Sequence, residues 1–389
     1  MDKKLLTLLL VVFIDLLGFG IVIPILPLLV EEIGGGAFLV GVVISIFALF
    51  QFIFSPILGR LSDKYGRKPV LIVSSFINSF SYFLIFLSQS FWVILLARII
   101  GGIGSSNLSV AQAYIADTSK AHERTKRLAL VGSIFGLGFI LGPLIGGIVS
   151  EKISIGFAFL IPALLSLINT FMIHFILTES NQALQKHIKI ELINWKVTSE
   201  ILRPKNIFFL MFLFFFVNLA IALIIGVFPL YSESKFGWGE AQNGYYFGLI
   251  GVGSFVTQAF LIRIILKWFD EIRMIKFGLI IFAITIASVG LATKGFLVLL
   301  AGPFITFGIS LINVNVQSLI SLESSPEEQG IVLGVSQSFG SMARVIGPLI
   351  GGTIASFNLG APYIVSGIMA FLIFLFGRKY LKLIKPRSS

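Results

Sequence analysis

The chain has 389 residues, of which 57% are hydrophobic and 12% are charged, and its mean hydropathy is +1.01. In soluble domains about a quarter of the residues are charged. This composition therefore excludes a water-soluble globular protein and indicates a chain that is embedded in lipid. The sequence has no Cys and only three His, at scattered positions. This excludes disulfides and thiolate chemistry and leaves no residues for a metal centre of that kind.

Apolar runs of about 20 residues, the length needed to cross a bilayer core, predict twelve membrane spans. Spans 1 to 6 lie near residues 5–30, 38–59, 69–89, 91–115, 128–150 and 156–177. Spans 7 to 12 lie near residues 207–231, 241–265, 274–293, 295–319, 331–356 and 360–381. We therefore expect an all-α membrane protein made of an N-terminal six-helix half (1–177), a cytoplasmic linker (178–206) and a C-terminal six-helix half (207–389).

Lys and Arg set the orientation of these spans. Of the 29 basic residues, 24 fall on the side of the N-terminus and three fall on the opposite side. This bias predicts that both termini are cytoplasmic in a multi-pass protein of the cell inner membrane. The net charge of +11 is therefore an orientation signal that faces anionic lipid, and nucleic acid is not an expected partner.

Span 1 carries one acid, Asp15, inside the apolar stretch LLVVFIDLLGFGIVIPILPLL. Asp15 lies about ten residues into the span, or roughly 15 Å at 1.5 Å per residue, which is the middle of a core about 30 Å thick. Spans 4 and 11 add two intramembrane cations, Arg98 and Arg344. Because charges inside a membrane are costly, they face a cavity or a partner. We expect Asp15, together with Arg98, to load and release a proton; a static Asp15–Arg98 brace is the alternative.

The segment GRLSDKYGRKPVLI between spans 2 and 3 combines glycines, basic residues and one acid. Gly59 and Gly66 are expected to permit a tight turn, and the basic residues anchor that turn at the anionic inner face. A purely orienting loop would not need Asp63. Two alternatives therefore remain for this segment: it is a latch that uses Asp63, or it is a cluster of charges that only sets the membrane topology.

Span 5 carries a stripe of small residues and a proline that recurs in span 11. The stretch GPLIGG begins at Gly142 and again at Gly347, so the two copies are 205 residues apart. Small residues on one face let helices approach closely in lipid, and a proline bends its helix. Rocking of two halves and ordinary tight packing both explain the stripe, which comprises Gly138, Gly142, Pro143, Gly146, Gly347 and Pro348.

Taken together, these motifs resemble the major facilitator superfamily. GRLSDKYGRK resembles its signature between spans 2 and 3, LLARIIGGIGSS its fourth-span motif, and GLGFILGPLIGG the fifth-span motif of proton-driven exporters. IDLLGFGIVIPILP is similar to the first span of tetracycline and multidrug exporters of the twelve-helix drug/proton antiporter group. The likeness extends over essentially the whole chain.

The resemblance implies two six-helix halves that open alternately to the two sides of the membrane, with the substrate between them near the bilayer midplane. It implies that Asp63 meets Arg67 and the start of span 11, which closes the cytoplasmic side, and Asp117 is a second partner for Arg67. Polar residues in the spans that line the cavity of this family are the expected substrate contacts: Gln51, Asn107, Asn218, Gln258, Asn315, Gln317, Gln337 and Arg344.

The function implied by the resemblance is proton-coupled efflux of lipophilic, drug-like small molecules, that is, a multidrug antiporter that confers antibiotic resistance. A sugar or metabolite exporter of the same fold is the alternative. No cofactor is expected besides the proton gradient, and we expect a monomer whose partners are substrate, protons and the lipid bilayer. A channel would need repeated charged residues along a pore, and the sequence does not contain them. An enzyme would need a nucleophile–base pair, which the sequence also lacks, so we expect neither a channel nor an enzyme.

Two positions depart from the tetracycline exporters of this group, which carry a His in span 8 and an Asp in span 9. The first position aligns with Ser254, and span 9, MIKFGLIIFAITIASVGLA, contains no acid. We therefore expect a substrate other than tetracycline.

Overall fold

The computed structural model describes residues 3–119, 121–181, 199, 201–324 and 329–381, and these residues form helices joined by short connections. Spans 1 to 6 are Lys3–Glu32, Ala37–Tyr65, Arg67–Phe86, Phe91–Thr118, Ala121–Lys152 and Ile155–Ile176. Spans 7 to 12 are Lys205–Ile225, Glu240–Ile265, Glu271–Leu291, Gly295–Leu322, Gln329–Phe357 and Ala361–Leu381.

Within the described ranges, ten helices are long and apolar enough to cross a membrane. The long helices of spans 5 and 11 complete the twelve-span layout. The all-α membrane fold predicted from hydropathy is therefore confirmed. Of the predicted linker, only residues 178–181, 199 and 201–206 are among those described, and the rest of it lies outside them.

The starts of two spans show why these residues form helices where they do. Ser154 precedes span 6, and its side-chain oxygen accepts a hydrogen bond from the backbone N–H of Phe157 at 3.3 Å. Asp270 precedes span 9 and accepts one from the N–H of Arg273 at 2.7 Å. Such caps satisfy backbone donors that the first turn of a helix leaves without partners.

Three spans deviate from a simple apolar rod. Span 4 is interrupted by a 3₁₀ turn at Ser105–Asn107, and span 8 contains a π-helical turn at Thr257–Leu261. Span 7 ends at Ile225, earlier than hydropathy predicts, and a separate short helix, Phe228–Phe236, follows it. Irregular turns inside long helices are frequent at functional positions.

The connection between spans 2 and 3 is shorter than the sequence predicts. The helix of span 2 continues to Tyr65 and span 3 begins at Arg67, so a single residue, Gly66, forms the turn. Gly66 has φ +102°, a conformation open to glycine, whereas Gly59 lies within the helix of span 2. The expectation that Gly59 also serves the turn was therefore wrong, because helical hydrogen bonding extends six residues beyond it.

The described residues pack into two compact units. Unit 1 comprises those within Met1–Gly35, Ile46–Leu192 and Trp238–Gly248, and unit 2 those within Gly36–Ser45, Ile193–Gly237 and Leu249–Ser389. Two spans are therefore divided between the units. The first ten or so residues of span 8 belong to unit 1 and the rest of that span to unit 2, whereas the first ten or so residues of span 2 belong to unit 2 and the rest to unit 1. The predicted division into halves at 177 and 207 stays a prediction.

In unit 1, the GPLIGG stretch of span 5 has two packing faces. On one face, a Cβ added to Gly142 would come within 2.6 Å of the carbonyl oxygen of Leu17 in span 1. On the other face, Gly147 and Pro143 lie against the start of span 8, where a Cβ added to Gly244 would approach the Pro143 oxygen at 2.5 Å. The further glycines that face span 1 are Gly138 and Gly146.

In unit 2, the GPLIGG stretch of span 11 repeats this arrangement. Gly347 lies against Ala222 of span 7, as Gly142 lies against span 1. Pro348 and Gly352 face the start of span 2, where a Cβ added to Gly41 would collide with the carbonyl oxygen of Pro348. Close packing therefore explains the small residues of both stripes; a role in rocking stays a prediction.

Candidate functional site

Asp15 is the centre of a polar cluster inside unit 1. Its Oδ1 accepts a hydrogen bond from Nδ2 of Asn78 on span 3 at 3.2 Å, and its Oδ2 accepts one from Nδ2 of Asn107 on span 4 at 2.7 Å. Both asparagines are buried, with 1% and 3% of their surface exposed, whereas Asp15 is half-buried. The carboxyl group is therefore held by two neutral amides.

The 3₁₀ turn of span 4 connects this cluster to span 2. The hydroxyl of Ser105 donates to Oδ1 of Asn78 at 3.0 Å, which fixes the orientation of the Asn78 amide toward Asp15. Gln51 of span 2 donates from Nε2 to the carbonyl oxygen of Ser105 at 3.2 Å. Four spans thus meet in one hydrogen-bonded chain, and the irregular turn supplies two of its members.

Arg98 lies in span 4 without contacting Asp15. No ion pair joins these two side chains among the residues that the structure describes. The Arg98 guanidinium carbon instead stacks 3.8 Å from the centroid of the Phe47 ring, and its Nε has no hydrogen-bond partner. Tyr82 lies within electrostatic range of both Asp15 and Arg98. The direct brace considered from the sequence is therefore absent from this structure.

Aromatic rings line the same part of unit 1. Phe19, one turn beyond Asp15, lies with its ring centroid 6.1 Å from that of Phe47 and 5.7 Å from that of Phe139 in span 5. Phe50 and Phe54 of span 2 stack on each other at 6.2 Å. A half-buried carboxyl, buried amides and several rings form the kind of surface that holds an amphiphilic small molecule.

The predicted gate residues of unit 1 come together around Arg67. Its NH1 nitrogen forms an ion pair with Oδ1 of Asp63 at 2.6 Å and donates to the hydroxyl of Ser62 at 2.6 Å. Its Nε forms an ion pair with Oδ2 of Asp117 at 3.0 Å. The part of the predicted latch at the start of span 11 falls partly on residues 325–328, outside the described residues.

Glu179, just beyond span 6, completes this cluster and was missed by the sequence analysis. Its two carboxylate oxygens accept hydrogen bonds from the backbone N–H groups of Arg67 at 2.8 Å and Lys68 at 3.1 Å. An acid at the N-terminus of a helix satisfies free donors and the positive end of the helix dipole. The turn needs glycine at position 66 because its φ is +102°, and a Cβ added there would also displace the Glu179 carboxylate from these donors.

The cavity residues predicted in the second half bond mainly within their own helices. Asn218 donates to the carbonyl oxygen of Phe214, and Asn315, only 1% exposed, donates to that of Leu311. Gln258 donates to the hydroxyl of Ser254 in the π-helical region of span 8. Arg344 donates to the hydroxyl of Ser341. Of the remaining two, Gln317 is half-buried and Gln337 is exposed.

The membrane-length helices and the polar cluster among spans 1 to 4 define a multi-pass helical membrane protein with ionisable and amide groups inside its spans. The model of the Major Facilitator Superfamily matches residues 8–346. The chain therefore belongs to the Major Facilitator Superfamily, whose members act on small molecules in membranes.

Curated relatives of the chain are named as drug resistance proteins. It is 32% identical to the class B tetracycline resistance protein of Escherichia coli, over 90% of this chain and 88% of that protein. It is 33% identical to the class D tetracycline resistance protein of Salmonella ordonez, over 90% of this chain and 89% of that protein. It is 27% identical to the quinolone resistance protein NorA of Staphylococcus aureus, over 95% and 94% of the two chains.

Solved structures share the fold at lower identity. The human organic anion transporter MFSD10 (TETRAN) matches with a TM-score of 0.71 and 23% identity, over 96% of this chain and 99% of that one. A bacterial homolog of the human lysosomal transporter Spinster, inward-facing and unoccupied, matches with a TM-score of 0.81 and 13% identity, over 100% of both chains. These likenesses show the fold alone.

Proposed function

We propose that the protein is a proton-coupled exporter of lipophilic, drug-like small molecules and that Asp15 carries the proton. Its relatives are named for resistance to tetracycline and to quinolones. Export against a gradient needs a driving ion, and Asp15 is a protonatable group near the middle of span 1. In this proposal the transporter works as a monomer with both termini in the cytoplasm.

The observation that carries the proposal is the pair of neutral donors on Asp15. A carboxylate paired with a buried arginine cannot take up a proton without leaving that cation uncompensated. Asp15 is held by the amides of Asn78 and Asn107 instead, so protonation removes its charge and strands no partner. This arrangement favours a carrier over a brace.

Protonation of Asp15 also provides a route to conformational change. The neutral acid has one O–H donor, so one of the two oxygens stops accepting an amide hydrogen bond. Asn78 is held by Ser105, whereas Asn107 ends the 3₁₀ turn of span 4. We expect the Asn107 contact to break first and the turn to rearrange with it, which would couple proton uptake to movement of span 4.

The substitution Asp15→Asn tests the carrier role. Asn keeps the size of the protonated acid and one acceptor oxygen, so the variant should fold with a thermal unfolding midpoint close to that of the wild type. In proteoliposomes it should lose export of a lipophilic dye driven by a pH gradient while retaining downhill exchange. Glu31→Gln, at the exposed outer end of the same span, is the matched control and should transport normally.

A stable Asp15→Asn protein that still exports the dye against its concentration gradient would contradict the proposal. The brace hypothesis predicts instead that Asp15→Asn lowers the stability of the protein. If Asp15 compensated Arg98, its neutralisation would cost about 3–5 kcal/mol, and adding Arg98→Gln would restore the unfolding midpoint.

A further inference from the structure

Arg98 is a buried cation for which the described part of the chain provides no anion. Only 3% of its surface is exposed, and its Nε has no hydrogen-bond partner. The nearest carboxyl group in the cluster, Asp15, is occupied by two amides. The contact that Arg98 does make is with a ring face, that of Phe47 at 3.8 Å.

An arrangement of this kind lowers the stability of the fold. A buried charge without a counter-ion is among the costly features of a protein, and each unsatisfied buried group calls for an explanation. Proteins retain such features where a function needs them. The guanidinium is planar, always charged and forked, and this geometry matches the two oxygens of a carboxylate or a phosphate.

The surroundings of Arg98 specify the rest of the ligand. Phe47, which covers the guanidinium, is in contact with Phe19, and Phe19 is in contact with Phe139. Asp15 lies four residues before Phe19 in the same helix, one turn away from these rings. A ligand that presents a carboxylate to Arg98 would therefore place an attached aromatic system among these three rings, after Phe47 has moved aside.

We propose that Arg98 is the anion receptor of the transporter and that its substrates include amphiphilic aromatic acids. This inference rests on the proposed function, because it names a substrate class for the same site. The substrate replaces the missing counter-ion, and the ring of Phe47 changes from a cover of the guanidinium to a wall of the binding site. Asp15 remains free to carry the proton, since it does not share the arginine.

Equilibrium binding to the purified full-length protein in phosphatidylcholine nanodiscs at pH 7.5 tests the receptor. The probes are 2-naphthoate and 2-naphthamide, which share one ring system and differ in charge. Charged hydrogen bonds to a buried partner correspond to about a tenfold to hundredfold change in affinity, so the wild type should prefer the naphthoate by at least about tenfold. Equal affinity for the two probes, or no naphthoate binding at millimolar concentration, would overturn the proposal.

Variants of Arg98 test whether this residue causes the preference for 2-naphthoate over 2-naphthamide. Arg98→Gln should bind both probes equally, and Arg98→Lys should keep part of the preference because it keeps the charge. Arg263→Gln, which removes an exposed cation elsewhere, is the control and should keep all of it. Without ligand, Arg98→Gln should unfold at the same temperature as the wild type or higher, since it removes a buried charge. A markedly lower midpoint would identify a structural cation and refute the receptor.

Asp15→Asn separates the receptor from a hidden ion pair. If Arg98 binds the ligand carboxylate, loss of the nearby negative charge should leave the naphthoate preference intact or increase it. Loss of the preference in Asp15→Asn would show that Arg98 works through Asp15, against the proposal. These assays measure binding without a pH gradient, so failure of proton-coupled efflux and failure of the receptor give different results.

Discussion

Asp63 and Lys64 are neighbours in the sequence, yet their side chains have different surroundings. Asp63 forms an ion pair with Arg67, whereas Lys64 is exposed and lies over the ring of Tyr65. A latch needs that acid, but membrane topology needs only total positive charge. We therefore expect Asp63→Asn to reduce transport by about tenfold or more, and Lys64→Gln to reduce it by less than about twofold. Initial rates of dye export from cells with matched expression would measure both.

Equal losses in Asp63→Asn and Lys64→Gln would support the topogenic alternative. Surface expression and insertion orientation need to be measured in parallel, because a topogenic defect changes both. A latch defect leaves both unchanged and alters the transport rate alone.

The turn between spans 2 and 3 offers a matched pair of glycines. Gly66 has φ +102° and abuts the Glu179 carboxylate, whereas a Cβ at Gly59 would meet no atom within 4 Å. Gly66→Ala should lower the free energy of unfolding by about 1–3 kcal/mol, because alanine is strained in that conformation. Gly59→Ala lies in a helix and should be neutral or stabilising by about 0.5–1 kcal/mol. Thermal unfolding in detergent compares them; similar midpoints would contradict the assigned geometry.

At this scale, the sequence drew attention to individual residues but did not indicate their partners. The position of Asp15 follows from a single charge in an apolar run. Asn78 was missed, although an amide inside span 3 is itself a signal of an intramembrane contact. Glu179 was missed because its role depends on the end of span 6 lying beside the start of span 3, which no local pattern encodes.

At the scale of elements, the two copies of GPLIGG make the same pair of contacts in their respective units. One face packs on span 1 for the span 5 copy and on span 7 for the span 11 copy, and the other face packs on the start of span 8 or of span 2, respectively. The sequence repeat indicated a symmetric arrangement. It did not separate the two faces, because a run of small residues shows that helices approach closely but does not show which ones.

Gly41→Ala tests the second face of the span 11 copy. A Cβ at Gly41 would collide with the carbonyl oxygen of Pro348, and backbone atoms cannot give way as a flexible side chain does. Overpacking of this kind typically costs about 1–3 kcal/mol, so the unfolding midpoint should fall. Gly334→Ala is the control within span 11, since no atom lies within 4 Å of its added Cβ. An unchanged midpoint in Gly41→Ala would rule out this packing.

Hydropathy located the ends of the spans to within about seven residues, whereas it did not predict where the spans are irregular. The hydropathy of a segment does not depend on whether the segment forms an α-helix or a 3₁₀ or π turn. Hydropathy therefore could not predict the 3₁₀ turn at Ser105–Asn107. The helix of span 2 extends past its apolar stretch to Tyr65, because the Arg67 cluster, and not lipid, stabilises its polar end.

For the molecule as a whole, similarity and site chemistry lead to different substrate predictions. The chain is 32% identical to a class B tetracycline resistance protein, yet Ser254 and residues 274–292 of span 9, which contain no acid, depart from that group. Expression in a sensitive host should therefore give little tetracycline resistance, about twofold or less in inhibitory concentration. It should protect against uncharged or weakly charged lipophiles. Strong resistance to tetracycline alone would contradict this expectation.

The distribution of chain segments between the two units has a consequence for biosynthesis. Residues 36–45 belong to unit 2, but Pro348, against which Gly41 packs, is made about 300 residues later. At about 5–20 residues per second, that delay is roughly 15–60 s. Unit 1 in turn lacks residues 238–248 until span 8 has been synthesised. Neither unit can therefore be completed while the ribosome is still making the first six spans. A fragment that stops at residue 177 would lack residues 238–248, so its unit 1 would be incomplete when membrane insertion ends.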